Sequence, residues 1–226
     1  IASVSESTRS LGPSRRSDAG ERTPIAVLVS GAGTNLYALL DRAEEPAFPA
    51  RIVCVFSNHH HAPALRFAQE RDVPAKTMPV GDFGGDRRAR DSALKDCLQQ
   101  LGVQLVVCAG YDRLLSDELL DAYADAVLNV HPSLLPAFGG SMHAVEEALA
   151  YGVKVSGCTV QLLERGEPDG GPIILQGAVP VLDDDNADSL RLRIHQEEWE
   201  LLPRAVALWC EGRLMRDGRH VRVVDS

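Results

Sequence analysis

No stretch of this 226-residue chain approaches the eighteen or so consecutive apolar residues of a membrane-spanning helix. Positive charge is in deficit, with 23 Lys and Arg against 32 Asp and Glu and a net charge of −9. That balance lacks the basic footprint of a nucleic-acid binder. It leaves room for a small anionic substrate, which local groups hold. Cysteine is sparse and wrongly spaced for a metal site. Cys54, Cys97, Cys108, Cys158 and Cys210 are odd in number and form no C-x-x-C pair. This argues against a zinc site or a disulfide framework and for reduced thiols in a cytoplasmic setting. No apolar core of a secretory signal is present. The composition therefore points to small-molecule partners rather than nucleic acid or membrane, and leaves monomer and homodimer both open.

What is present suits one globular domain over residues 24–226, with 45% hydrophobic and 24% charged residues. Residues 1–23 are rich in Ser, Arg and Gly without an apolar period, and are expected to form a disordered tail. Beyond it, strand-like runs at 25–29, 51–57, 75–80 and 104–109 alternate with helical patterns at 34–43, 63–71, 87–101 and 117–123. A further short strand carries Asn129. The alternation predicts parallel βαβ units and an α/β, Rossmann-like, mostly parallel sheet with helices on both faces. The second half adds an antiparallel part: a helix at 144–151, strands at 154–163 and 173–181, a long helix at 188–211 and a hairpin around Asp217-Gly218. The strand at 154–163 alternates as if one face were exposed.

Three motifs carry chemistry. Asn129 and His131, two apart on a strand, project to the same side before Pro132 ends it. An amide donor beside an imidazole suits acyl transfer: one binds a developing oxyanion, the other moves the proton. Ser30-Gly31-Ala32-Gly33-Thr34-Asn35 joins the first strand to the first helix, where free N–H groups favour an anion, and Thr34 and Asn35 offer side-chain donors. Alone it reads equally well as a tight turn with a capped helix. Asp169-Gly170-Gly171-Pro172 is a loop whose carboxylate, if it met His131, would favour the imidazolium; alone it is a plain turn. Consecutive His59, His60 and His61 point alternately and predict no metal site. Arg113 lies just past a buried strand, at the sheet edge of Asn129. His195, Glu197 and Glu198 fall on the long helix, where charge is ordinarily solvated.

Taken together, SGAGTN (30–35), FSN (56–58), AGYDRLL (109–115), LNVHPSLLPAF (128–138), ALAYGVKVSGCTV (148–160) and DGGPIILQ (169–176) resemble the phosphoribosylglycinamide formyltransferase family over residues 25–215. The resemblance implies transfer of a formyl group from the co-substrate 10-formyltetrahydrofolate to the amine of glycinamide ribonucleotide, with no metal. It assigns catalysis to Asn129, His131 and Asp169. It assigns the nucleotide to Gly33, Thr34, Asn35 and His195, Gln196, Glu197 and Glu198. It assigns the folate to Arg87, Asp112, Arg113, Leu114, Leu115, Asn129 and Arg165, Gly166, Glu167, Pro168 and Asp169. The sequence departs from the family in four places, one of them a step from Gln161 to Asp169 that is one residue longer. The run after Phe138 is one residue longer and lacks a Pro. Gln161 stands where a His is typical. Asp112 replaces a common Met and is unhelpful to an anionic folate tail unless it turns to solvent. Related readings are a formyl-folate transferase for another amine, a formyl-folate hydrolase, and a non-catalytic folate- or nucleotide-binding protein.

Overall fold

Residues 8–13, 21–166 and 168–225 are described by the structure, a computed structural model. The strands are β1 (Arg9–Leu11), β2 (Thr23–Val29), β3 (Ala50–Ser57), β4 (Ala75–Thr77), β5 (Leu105–Cys108), β6 (Val127–His131), β7 (Val155–Leu162), β8 (Ile173–Pro180), β9 (Leu214–Asp217) and β10 (His220–Val223). The helices are α1 (Thr34–Glu44), α2 (Ala64–Gln69), α3 (Arg87–Gln100), α4 (Asp117–Ala122), α5 (Ala144–Tyr151) and α6 (Ala187–Cys210). All the described strands join one sheet in the order β1-β9-β10-β8-β7-β6-β5-β2-β3-β4. The block β4-β3-β2-β5-β6 is parallel, and β7 and β8 continue it antiparallel.

The two-residue period of the strands divides the core. Ile25, Val27 and Val29 of β2, with Leu105 and Val107 of β5, face α1, α2, α5 and α6. Ala26 and Leu28, with Val106 and Cys108, face α3 and α4. Full burial on both faces explains why these strands are continuous apolar runs rather than alternating ones. Local signals set the helix ends. Asp86 caps α3 through the N–H groups of Arg88 and Ala89, and Asn186 caps α6 in a reciprocal box with Ser189. Gly152, at φ 82°, terminates α5.

Three expectations are corrected. Residues 9–11, assigned to a disordered tail, form β1 against β9, held by burial of Leu11 and an Arg9–Asp125 ion pair. The strand expected at 75–80 stops at Thr77, and Val80–Phe83 form a 3₁₀ turn. Strand β7 has no open face: after Val155 every residue to Leu162 is buried, because loops at 132–141 and 163–171 cover the side opposite α6.

Candidate active site

The covered side of β6, β7 and β8 is polar. Cross-strand register sets Asn129 opposite Gln161 and His131 opposite Thr159, with Thr159 opposite Gln176. The residues between them, Val130, Cys158 and Val160, enter the core under α6. One face of three neighbouring strands thus presents two amides, a hydroxyl, an imidazole and a third amide. Thr159 accepts from the N–H of Leu135 at 3.0 Å and donates to the carbonyl of Ser133 at 2.7 Å. Gln176 donates to the carbonyl of Leu135 and to Thr159. These bonds pin the loop that follows His131. Sequence reasoning missed them, although polar residues every second position on an otherwise apolar strand were a readable signal.

Asp169 meets His131. Its Oδ2 lies 3.2 Å from His131 Nδ1, and both side chains are largely buried. The other ring nitrogen, Nε2, lies 3.1 Å from the carbonyl of Phe138. Both ring nitrogens therefore face acceptors, an arrangement that a doubly protonated ring satisfies. Asn129 Nδ2 donates to Asp169 Oδ1 at 3.4 Å, and the N–H of Gly140 donates to Oδ2 at 2.8 Å. Asp169 and Phe138 both hold φ 56°, a left-handed conformation unusual for residues other than Gly. The two loops that close on His131 are thus locally strained, and the hydrogen bonds at Asp169 offset part of that cost.

The Gly-rich turn opens α1 at Gly33, φ 81°, without a side-chain cap. Uncapped first-turn N–H groups at a helix start favour an anion. Asn35 does not add a side-chain donor there. It is buried, and its Nδ2 donates to Glu198 Oε2 at 2.8 Å. Glu198 in turn lies 2.8 Å from His195 Nδ1. The solvated face expected for this part of α6 is corrected at Glu198, which is 2% exposed and links α6 to α1. Glu197 packs on β8, where a Cβ on Gly177 would stand 2.2 Å from its Cγ; Gln196 is exposed.

Among the folate candidates, Arg87 is the exposed first residue of α3, Arg113 and Leu114 are exposed beyond β5, and Leu115 is buried in the core beside α3. Gly166 and Pro168 are exposed, and Arg165 is ion-paired with Asp121. Glu167 lies outside the described residues. Asp112 lies 3.4 Å from Arg113 and is otherwise held by side chains of other loops. Its Oδ1 accepts from Ser30 at 3.0 Å and from Asn58 at 2.7 Å, and Oδ2 lies 3.3 Å from His59. It ties together the loops after β2, β3 and β5. Among the described residues no cluster of His, Cys, Asp and Glu is arranged to hold a metal ion.

Burial opposes the charge on Asp112, but hydrogen bonds from Asn58, His59 and Ser30 and the nearby Arg113 outweigh it and hold the carboxyl below its usual range. A depressed folded-state value stabilises the fold above the unfolded value, near pH 4, and that contribution disappears as pH falls below it. Asp112→Asn is therefore expected to lower Tm at pH 6 by a few degrees, with the gap to the unsubstituted protein closing towards pH 3. A gap that is constant from pH 6 to pH 3 contradicts this account.

The Rossmann-like sheet carries an amide and a carboxylate-held imidazole at a strand end, an arrangement suited to acyl transfer. Comparison with known proteins agrees. The family model described as formyl transferase matches residues 23–206, and the chain belongs to that family. It is 43% identical over 205 residues to the phosphoribosylglycinamide formyltransferase of Mycobacterium tuberculosis, covering 88% of this chain and 93% of that one. It is 38% identical to part of the human trifunctional purine biosynthetic protein adenosine-3, of which it spans only 19%. The crystal structure of glycinamide ribonucleotide transformylase 1 from Symbiobacterium toebii superposes with a TM-score of 0.87 at 45% identity, over 92% of this chain and 100% of that one. A formyltetrahydrofolate deformylase from Pseudomonas syringae shares the fold, with a TM-score of 0.85, but only 26% identity; this chain covers 68% of it.

Proposed function

We propose that this chain transfers the formyl group of 10-formyltetrahydrofolate to the glycyl amine of glycinamide ribonucleotide. The observation that carries the reading is the contact of Asp169 with His131 beside Asn129, on the same sheet edge as the anion turn. The amine nitrogen bonds to the formyl carbon, and Asn129 and His131 donate to the oxygen as it becomes an oxyanion. The bond from that carbon to the folate nitrogen then breaks; the amine gives up a proton and the leaving nitrogen gains one. Asp169 holds one edge of the His131 ring, so the opposite N–H, resting on the Phe138 carbonyl, is the exchangeable one. The incoming oxygen replaces that carbonyl.

The turn at 30–35 holds the phosphate through backbone N–H groups, and Glu198, fixed by Asn35 and His195, takes the ribose hydroxyls. Arg87, Arg113, Leu114, Leu115, Arg165, Gly166, Pro168 and Asp169 are residues assigned to the folate. A hydrolase has no use for a phosphate-binding turn, and the lower identity to the deformylase points the same way. Five free thiols suit a cytoplasmic setting. The test is an absorbance assay with 10-formyl-5,8-dideazafolate, with and without glycinamide ribonucleotide. Folate release is expected only when the nucleotide is present. Release without it establishes a hydrolase instead, and no release in either case removes the transferase reading.

A further inference from the structure

We infer that Gln161 is a positioning residue for Asp169, and that its amide selects which carboxylate oxygen is left for His131. The inference rests on the transfer reading above. Gln161 is completely buried on β7, and its Nε2 donates to Asp169 Oδ1 at 2.8 Å. Asn129, its cross-strand neighbour on β6, donates to the same oxygen at 3.4 Å. Oδ2 is left to His131 Nδ1 and to the N–H of Gly140. The carboxylate plane is thereby fixed from two sides: rigid strands supply the amides on one edge, and the imidazole and a loop N–H take the other.

Two features separate this from simple packing. Gln161 Oε1 is buried and has no hydrogen-bond partner among the described residues. A side chain that only filled space would be better apolar, because a buried acceptor without a donor is costly. The amide's orientation is also determined: rotated by half a turn, Oε1 would face the carboxylate oxygen, acceptor against acceptor. Asp169 sits in a loop at φ 56° and depends on such bonds to stay in place. The titratable groups that face Gln161 are Asp169 from its loop and, through it, His131 from β6. Glu164 and Arg165 turn outward onto Arg216 and Asp121, and the β8 residue opposite Gln161 is Ile173. The amide donates at every pH, so the hold on Asp169 does not vary across the working range.

The test compares Gln161→Met and Gln161→Glu with the unsubstituted protein. Gln161→Met keeps the volume and removes the donor, and kcat is expected to fall by about 10²-fold with both KM values little changed, as for a small misplacement of a reacting group. In Gln161→Glu, burial and the neighbouring carboxylate push the new acid's pKa upward. Its protonated form donates to Oδ1 and its ionised form repels it. The kcat of this variant relative to the unsubstituted protein is expected to rise at least about tenfold from pH 8.5 to pH 6. A residue with a purely structural role does not produce that tilt. Either variant alone carries the test if the other does not fold. A wild-type kcat in Gln161→Met, or a ratio for Gln161→Glu that is flat with pH, overturns the inference. The imidazole ¹⁵N resonances of His131, read without substrate, give a second measurement that needs no turnover. They are expected to move in Gln161→Met, and unchanged resonances also overturn the inference. An inactive unsubstituted protein whose resonances still move removes the transfer reading and leaves the positioning role standing.

Discussion

Replacing His131 with Ala is expected to lower kcat by about 10²–10⁴-fold, the range lost with a positioned general acid, while leaving both KM values nearly unchanged. The separation follows from where His131 sits. Its ring is buried between Asp169 and the Phe138 carbonyl. In the proposed function the nucleotide is held elsewhere, by the turn at 30–35 and by Glu198. Steady-state kinetics with each substrate varied in turn decides the matter. A kcat within a few-fold of the unsubstituted enzyme removes His131 from the chemistry. A rise in nucleotide KM without loss of kcat makes it a binding residue.

Gly33→Val is expected to raise the KM for the nucleotide by tenfold or more while folate affinity is retained. Gly33 holds φ 81°, and a Cβ there would lie 2.4 Å from the Cβ and 2.7 Å from the Cα of Ala64. Those distances are far inside van der Waals contact, so the start of α1 must shift away from α2, and the N–H groups shift with it. A displacement of about 1 Å is enough to cost about 10²-fold where geometry is demanding. In a Gly33→Ala background, Ala64→Gly removes the closer of the two overlaps and is expected to restore part of the loss. Isothermal titration with the folate and with the nucleotide separates the two sites. An equal loss of folate affinity shows that the turn belongs to a different part of the pocket.

Much of this architecture was legible because the parallel strands and their helices follow simple periods. The cluster of Asn129, His131 and Asp169 was also legible, but only one-sidedly. Alternation placed Asn129 and His131 together, whereas nothing local tied Asp169 to them. That contact is made by a loop of strained backbone whose course depends on Gly140 and Gln161, far apart in sequence. Glu198 was misread for a related reason: a carboxylate on a helix is solvated by default, and its burial depends on Asn35, 163 residues away. Spacing can also mislead in the opposite sense: Leu101 follows the buried Leu94 and Leu98 at helical intervals, yet it caps the end of α3 and is 37% exposed. Arg90 gave no warning at all. It is fully buried on α3, its guanidinium 2.6 Å from Asp91 and hydrogen-bonded to Tyr111, so it anchors the segment that carries Asp112 and Arg113. The common thread is that polar residues buried by a distant partner leave no periodic trace.

Strand β1 has a bearing on how the protein behaves at high concentration. Among the described residues the ten-stranded sheet ends on one side in β1 and on the other in β4, each three residues long. An unpaired strand is a template on which another chain can add, and its hazard grows with its length. Short terminal strands offer few backbone groups to a neighbour. Without β1, the outermost strand on that side would be β9, one residue longer and with Leu214, which is buried in the core, at its start. A segment that composition alone consigns to solvent thus serves as a hem on the sheet, discouraging aggregation at the margin farthest along the strand order from the parallel block.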